Sequence, residues 1–279
     1  MGVSVFGHRG ACGYLPENTM ASFELAFELG SDAIEFDVVM TKDAVPVILH
    51  DNELSHTTDI ASHPELAQKV EELTLGQLSR LRVVERYPEG RPQSHLHSGK
   101  YPIPTLGQVL NNPAFDGRHL IIELKYGAHF GALGLDLIAA TKRELETSNW
   151  QARGMKITIE CFEFGVLRDA KKRIGGNIDY VFLSAPDMLP EGRTELDDDL
   201  LEEIASEFDG LSVAIEMLWQ NNLVQRAKAL GVTLYAYTAR VETAQGDVES
   251  WFEKLAKSGV DGIFADQPDV MLKTVAALA

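Results

Sequence analysis

Two histidines and two carboxylates in the first 51 residues each lie beside a short apolar run. The four residues are His8, Glu35, Asp37 and His50. Side chains alternate along a strand, so Glu35 and Asp37 share one face, where two carboxylates repel each other unless a cation lies between them. Two histidines at the ends of neighbouring strands can supply an acid and a base. The pattern therefore indicates cation-dependent acid–base chemistry.

A further cluster adds a third carboxylate and a cation after another apolar run. Residues 121–125 read Ile-Ile-Glu-Leu-Lys, which places Glu123 and Lys125 two residues apart and on one face of a strand. The three acids Glu35, Asp37 and Glu123 offer only oxygen ligands. Oxygen ligands favour a hard cation, so we expect one divalent ion, Mg²⁺ or Ca²⁺, rather than zinc.

The composition excludes several classes of protein. The 279 residues include 42 acidic and 25 basic side chains, for a net charge of −17, which argues against nucleic acid and against anionic lipid surfaces. Two cysteines, Cys12 and Cys161, do not suggest a disulfide framework or a zinc site. The chain shows neither a signal-like leader nor an apolar stretch approaching about 18 residues. We therefore expect a cytoplasmic location without stable membrane association. The sequence gives no indication of oligomeric state.

Strand-like and helical segments alternate along most of the chain. Alternation of this kind predicts a parallel sheet with helices outside. The gap between runs 33–39 and 46–50 is too short for a crossover helix, so these two runs should form a hairpin. The remaining count is eight, which predicts a single (β/α)8 TIM-barrel domain over residues 1–279, with a small insertion at about 51–103 after the second-strand hairpin. The strand-like runs are 3–8, 33–39, 46–50, 119–125, 156–162, 179–184, 210–215, 232–238 and 261–265. The helical patterns are 19–29, 131–147, 163–174, 197–207, 217–230, 246–258 and 268–278, with a short one near 71–82 in the insertion.

The order and spacing of these clusters resemble the glycerophosphodiester phosphodiesterase family over nearly the whole chain. No single tripeptide is specific to that family, whereas the ordered set is. The matching segments are His8-Arg9-Gly10, Pro16-Glu17-Asn18-Thr19, Glu35-Phe36-Asp37-Val38, Thr41-Lys42-Asp43-Ala44, His50-Asp51, Pro104-Thr105-Leu106, Glu123-Leu124-Lys125 and Asp261-Gly262-Ile263.

The resemblance implies a role for each matched residue. It implies a metal-dependent enzyme that hydrolyses small glycerophosphodiesters to glycerol 3-phosphate and an alcohol. His8 and His50 would be the catalytic acid and base, and Glu35, Asp37 and Glu123 the metal ligands. Arg9 and Lys125 would bind the phosphate, since Arg offers a planar fork and Lys a point charge. Glu17 would act on the substrate side by holding Arg9, although Pro16-Glu17-Asn18-Thr19 also has the character of a helix start.

Two late segments depart from the family pattern and concern the leaving-group pocket. The usual Trp-Thr-Val-Asn reads Tyr237-Thr238-Ala239-Arg240, and the usual Ser-Phe reads Cys161-Phe162. Phe162, Trp219 and Tyr237 lie near strand ends that face the active site in a barrel, so they would line either the substrate pocket or the core. Arg240 would either contact the leaving group or pair with Glu242.

Two other functions fit the same clusters. A related barrel phosphodiesterase could act on a lysophospholipid or sphingolipid, but it would need an apolar mouth for membranes. A non-catalytic, metabolite-binding barrel would keep the fold and lose a histidine or a metal ligand, and the sequence retains all of them.

Overall fold

Eight parallel strands form a closed barrel in the computed structural model, which describes residues 2–278. The barrel order is β1-β2-β6-β7-β8-β9-β10-β11, with β1 paired to both β2 and β11, so the predicted (β/α)8 fold is confirmed. The strands are β1 (Ser4–Gly7), β2 (Ala33–Met40), β3 (Pro46–Ile48), β4 (Arg82–Val83), β5 (Tyr101–Pro102), β6 (His119–Leu124), β7 (Lys156–Cys161), β8 (Asp179–Ser184), β9 (Gly210–Ala214), β10 (Thr233–Ala239) and β11 (Gly262–Ala265).

Helices follow or precede the barrel strands and cover their outer faces. Two predicted helices are shorter than expected. Residues 131–147 contain only the end of α5 (Gly127–Ala132) before α6 (Leu137–Ser148), and residues 217–230 become helical only at α9 (Leu223–Ala229), after a 3₁₀ turn. None of the helices over residues 2–278 is long and apolar enough to cross a membrane. The helices are α1 (Met20–Glu28), α2 (Leu75–Leu78), α3 (Pro92–His95), α4 (Leu106–Leu110), α5 (Gly127–Ala132), α6 (Leu137–Ser148), α7 (Phe164–Ile174), α8 (Asp198–Glu207), α9 (Leu223–Ala229), α10 (Val248–Ala256) and α11 (Pro268–Leu278).

The predicted hairpin is formed by β2 and β3, which pair antiparallel with Val38 opposite Ile48. The side chain of Thr41 fixes the turn, since its hydroxyl donates to Asp43 Oδ1 (2.7 Å) and accepts from the backbone N–H of Val45 (3.0 Å). The hairpin brings the residues after β3 back beside the end of β2. His50 therefore reaches the acids of β2 although it follows an extra, antiparallel strand.

The interior of the barrel has an apolar lower layer. Phe6, Ile121, Val181, Tyr235 and Phe264 fill the end at which the parallel strands begin. A separate and larger apolar cluster lies mainly between the strands and the surrounding helices. The packed lower layer leaves only the carboxyl ends of the strands for a cavity, as is usual for this fold.

The segment between β3 and α4 forms a compact insertion. It contains the two-stranded sheet of β4 and β5, the short helices α2 and α3, and two 3₁₀ turns. The short helical pattern near 71–82 corresponds to one of these turns, Val70–Glu72, and to α2. The insertion is anchored on the barrel through the buried side chain of Arg91, whose Nη1 donates to the carbonyl oxygen of Cys12 (3.2 Å).

Candidate active site

Four carboxylates lie on adjacent strands at the upper end of the barrel interior. In the parallel register Asp37 lies beside Glu123, and Glu123 lies beside Glu160, while Glu35 is two residues before Asp37. All four side chains are buried. The strand alternation that places an apolar residue in the lower layer thus places an acid here two residues later.

Three of these acids form a group that fits a metal ion. One oxygen each of Glu35, Asp37 and Glu123 lies within 4.8 Å of the others. Glu35 Oε1 and Asp37 Oδ1 are buried and have no hydrogen-bond partner among the described residues. Buried, unpaired carboxylate oxygens that converge on one point are a suitable environment for a hard divalent cation.

The pKa values of these acids reflect burial and crowding. Burial, followed by the charges of Asp37, Glu160 and Glu123, raises the pKa of Glu35 well above its usual value. Burial raises the pKa of Glu123 to about 7, with Asp37 adding to the shift and Lys125 opposing it. Burial would also raise the pKa of Asp37, but Arg9, His50 and Lys125 outweigh it and hold that pKa below the usual range.

Each predicted catalytic histidine is held by a carboxylate through Nδ1. His8 Nδ1 lies 2.6 Å from Asp266 Oδ1, and His50 Nδ1 lies 2.6 Å from Asp51 Oδ1. A carboxylate accepts a hydrogen bond from Nδ1–H, which assigns Nε2 as the unprotonated nitrogen that can take up a proton. Both rings line one cavity of about 130 Å³ together with Glu35, Glu123 and Glu160.

Burial lowers the pKa of both histidines and so favours the neutral imidazole. Burial, with Arg9 adding to it, lowers the pKa of His8 to about 4. Burial and Arg9 also lower the pKa of His50, although Asp37 and Asp51 oppose the shift. Lys125 Nζ lies 3.1 Å from His50 Nε2 and can donate a hydrogen bond to it when the imidazole is neutral.

Acidic partners hold the two predicted phosphate-binding cations in place. Arg9 Nη1 donates to Glu17 Oε1 (3.0 Å), and Arg9 Nε lies 3.2 Å from Asp37 Oδ2. Lys125 Nζ lies 2.8 Å from Glu123 Oε1, the ion pair expected from their spacing. Both cations line the cavity, whereas Glu17 lies behind Arg9.

The three predicted aromatic residues divide between cavity and surface. Phe162 and Tyr237 line the cavity with ring centroids 5.9 Å apart, and the Tyr237 hydroxyl donates to the Ser184 carbonyl (2.6 Å). Trp219 is 44% exposed, lies outside the residues that line the cavity, and carries the ammonium of Lys254 over its ring at 4.5 Å. The structure therefore does not bring Trp219 to the site.

Arg240 lines the cavity, but it does not pair with Glu242. Its Nε donates to Asp266 Oδ2 (2.8 Å), while Glu242 Oε1 accepts from Arg91 Nε (2.6 Å). Arg240 thus belongs to the group of charges around His8.

Several residues of the site were not predicted from the sequence. Glu160 follows the same strand alternation as Glu35 and Asp37, so that signal could have found it. Asp266 directly follows the apolar run of β11, which is the same type of position as His8 after β1. Asn18 donates from Nδ2 to Asp37 Oδ2 (2.8 Å), and Arg86 and Arg91 come from the insertion.

Comparison with known proteins identifies the family. The profile of the "Glycerophosphoryl diester phosphodiesterase family" matches residues 8–270. A glycerophosphodiester phosphodiesterase of Bacillus subtilis is 30% identical over 274 residues, which cover 95% of this chain and 84% of the relative. One from Caldanaerobacter subterraneus is 28% identical and covers 97% of each chain. The chain belongs to the glycerophosphoryl diester phosphodiesterase family, and the resemblance seen in the motifs is confirmed.

Solved structures agree on the fold. A provisionally named glycerophosphoryl diester phosphodiesterase from Silicibacter pomeroyi superposes with a TM-score of 0.81 at 27% identity, over 99% of this chain and 94% of that one. An Oleispira antarctica phosphodiesterase, solved in complex with the product sn-glycerol-3-phosphate, gives a TM-score of 0.76 at 24% identity, over 99% and 97% of the two chains. The second likeness shows the fold alone.

Proposed function

We propose that this protein hydrolyses glycerophosphodiesters to glycerol 3-phosphate and an alcohol with the help of one divalent cation. The observation that carries the proposal is the cavity lined by two carboxylate-held histidines and by the cations Arg9 and Lys125, beside three convergent acids. The family and its curated relatives supply the substrate class. A non-catalytic barrel is disfavoured because both histidines and all three acids are present and converge.

Glu35, Asp37 and Glu123 would hold the cation, Mg²⁺ or Ca²⁺. Glu35 Oε1 and Asp37 Oδ1, which have no hydrogen-bond partner among the described residues, fit such an ion. Without the ion the three acids concentrate negative charge, which repels phosphate. A bound divalent cation polarises a phosphoryl oxygen and offsets the charge that develops in displacement at phosphorus.

His8 and His50 would carry the protons through Nε2. One removes the proton of the attacking group, which is either water or the substrate's own glycerol hydroxyl followed by water in a second step, and the other protonates the leaving alkoxide. Asp266 and Asp51 stabilise whichever ring becomes positively charged, because each accepts a hydrogen bond from Nδ1. Their role is therefore to orient the rings and to stabilise the imidazolium.

Arg9 and Lys125 would bind the phosphate, and Glu17 would hold Arg9. The guanidinium of Arg9 is fixed between Glu17 and Asp37, so little side-chain entropy is lost when it contacts a phosphate oxygen. Lys125 is anchored by Glu123 and reaches the ring of His50. Both charges are in place before substrate arrives, which is the condition for efficient electrostatic stabilisation.

Phe162 and Tyr237 would form the apolar side of the cavity. The net charge of −17 disfavours contact with anionic lipid surfaces, where substrates with acyl chains reside. We therefore propose that glycerophosphocholine and glycerophosphoethanolamine are better substrates than lysophospholipids in vesicles.

Release of glycerol 3-phosphate from a panel of glycerophosphodiesters tests the proposal. Turnover should require added Mg²⁺ or Ca²⁺ and should disappear after chelation and dialysis. Hydrolysis that persists without a divalent cation would contradict the metal assignment. Faster hydrolysis of vesicle-bound lysolipid than of soluble diesters would contradict the substrate class.

A further inference from the structure

Two arginines of the insertion each contact the carboxylate that holds one catalytic histidine. Arg86 Nη2 lies 2.8 Å from Asp51 Oδ2, as an ion pair without hydrogen-bond geometry, and Asp51 holds His50. Arg91 Nη2 donates to Asp266 Oδ2, and Asp266 holds His8. The two arginines lie on one short segment between β4 and α3, yet they contact the carboxylates of different histidines.

Arg86 is connected to the site by two paths. Besides the contact with Asp51, its Nε donates to Glu17 Oε2 (3.1 Å) and its Nη2 to Glu17 Oε1 (2.9 Å). Glu17 in turn accepts from Arg9. A single side chain of the insertion therefore supports both a histidine and the arginine proposed to bind phosphate.

Arg91 is more tightly enclosed than Arg86. It is only 4% exposed, and its other donors bond to Glu242 Oε1 (2.6 Å) and to the Cys12 carbonyl (3.2 Å). Contacts with the loop after β1, the loop after β10 and the end of β11 fix the guanidinium from three directions. Such a side chain can move little, so the carboxylate that it contacts is held with it.

The two carboxylates need this support to orient a ring. A carboxylate that rotates away from Nδ1 no longer selects the tautomer with the proton on that nitrogen, and Nε2 is then no longer free. We propose that Arg86 and Arg91 are positioning residues that hold Asp51 and Asp266, and so fix the ring orientation and tautomer of His50 and His8. The kinetic part of this proposal rests on the proposed function, whereas the tautomers are a property of the resting protein.

The role differs from simple docking of the insertion. If the arginines only attach the insertion to the barrel, then loss of either one should affect both histidines alike. If each arginine holds its own carboxylate, then Arg86→Met should alter His50 alone and Arg91→Met should alter His8 alone.

The test is NMR of ¹⁵N-histidine-labelled protein in the presence of Mg²⁺, with assignments from His8→Gln and His50→Gln. The wild type should show both rings with the proton on Nδ1. Arg86→Met should shift the ring signals of His50 toward a mixture of tautomers, to an extent limited by the bond from Lys125 Nζ to Nε2, and should leave His8 unchanged. Arg91→Met should shift those of His8, to an extent limited by the bond from Arg240 to Asp266, and should leave His50 unchanged. Arg80→Met is the matched control, because Arg80 is an exposed arginine of the insertion that pairs with Glu65.

Kinetics give the second readout. Each Met variant should lower kcat by about 10–100-fold, the usual effect of removing a partner behind a site residue, with a smaller change in KM. Arg91→Lys keeps the charge and should recover part of kcat, and it replaces Arg91→Met if circular dichroism shows that the Met variant is unfolded. Tautomers like those of Arg80→Met would overturn the proposal, as would changes at both histidines in each variant. If the wild type releases no glycerol 3-phosphate, the proposed function fails, while the tautomer result still decides the positioning role.

Discussion

The lower and upper ends of the barrel interior use the same faces of the same strands but opposite kinds of side chain. On β2, Ala33 lies in the apolar layer and Glu35 lies in the site two residues later. On β6, Ile121 and Glu123 are related in the same way. Phe6 of β1 likewise precedes His8 by two residues. On each of these strands, a shift of two residues along the same face leads from the apolar lower layer to the candidate site.

Aromatic side chains make the lower layer rigid. The ring of Phe6 meets those of Tyr235 and Phe264 edge-to-face, with centroids 5.0 and 5.1 Å apart. Rings in such contacts interlock and leave few alternative rotamers. The upper layer contains buried like charges, which are unfavourable for folding. A rigid apolar lower layer can therefore hold an upper layer of buried charges in a defined geometry, although burying those charges disfavours folding.

The largest difference between the two layers should appear in kcat when His8 or His50 is removed from the upper layer. His8→Ala and His50→Ala should each lower kcat by roughly 10²–10⁴, the usual contribution of a positioned acid or base. The free energy of unfolding should change far less. Steady-state assays of glycerol 3-phosphate release and denaturant titrations measure the two quantities.

The control for these variants is a histidine at the other end of the barrel. His119 begins β6, lies near Phe6 with centroids 6.2 Å apart and hydrogen-bonds to Thr158 (2.8 Å). His119→Ala should keep kcat close to that of the wild type. Near wild-type turnover in His8→Ala or His50→Ala would make that histidine structural.

The second prediction tests how much the lower layer contributes to the free energy of unfolding. Phe6→Ala should lower the free energy of unfolding by about 3–5 kcal/mol, as expected when a buried aromatic ring is removed. Urea denaturation of this variant should be compared with Leu133→Ala, since Leu133 is 53% exposed and its loss should matter little. Equal stability of the two variants would show that the lower layer is not the rigid support described above.

The sequence predicts the fold and the residues that lie in short motifs. The hairpin of β2 and β3 follows from a turn too short for a helix, and the face shared by Glu35 and Asp37 follows from the strand repeat. The start of α1 was also predictable, because Thr19 accepts a hydrogen bond from the N–H of Ser22 as an N-cap. These features depend on residues close together in the chain.

The parts that could not be predicted depend on residues far apart in the chain. Asp266 reaches His8 only because β11 pairs with β1 when the barrel closes. Arg86 and Arg91 reach the site only through the packing of an insertion whose sequence has weak periodicity. The exposed position of Trp219 depends in the same way on a 3₁₀ turn after β9 that replaces the predicted helix start.

The third prediction concerns the effect of pH on the upper layer. Because the pKa of Glu123 is raised to about 7, this acid is protonated below that pH in the absence of a cation. A cation must displace the proton, so its apparent affinity should fall by up to about tenfold per pH unit below 7. Calorimetric titration with Mg²⁺ or Ca²⁺ at pH 6 and pH 8 measures the affinity and the protons released. An affinity that does not depend on pH over this range would contradict the assignment of Glu123.

The smallest expected effect is the loss of stability caused by one buried acid, Glu160. Burial and the charges of Glu123 and Asp37 raise the pKa of Glu160 well above its usual value. An acid with a raised pKa in the folded state destabilises the fold as pH rises above its unfolded-state value, and it has no effect when it is protonated in both states. Glu160→Gln should therefore increase the free energy of unfolding of the cation-free protein by about 1 kcal/mol near pH 8, the size of one screened charge interaction, and by little near pH 4.

Denaturation at the two pH values, with and without Mg²⁺, checks this gain. The cation neutralises part of the charge around Glu160, so its addition should narrow the difference between Glu160→Gln and the wild type. Glu146→Gln is the matched control, because the Glu146 side chain is 68% exposed and lies 3.9 Å from Lys142 at the surface. A Glu160→Gln protein that is less stable than the wild type at pH 8 without the cation would show that Glu160 stabilises the upper layer. The lower layer would then not be the only one of the two layers that stabilises the fold at β7.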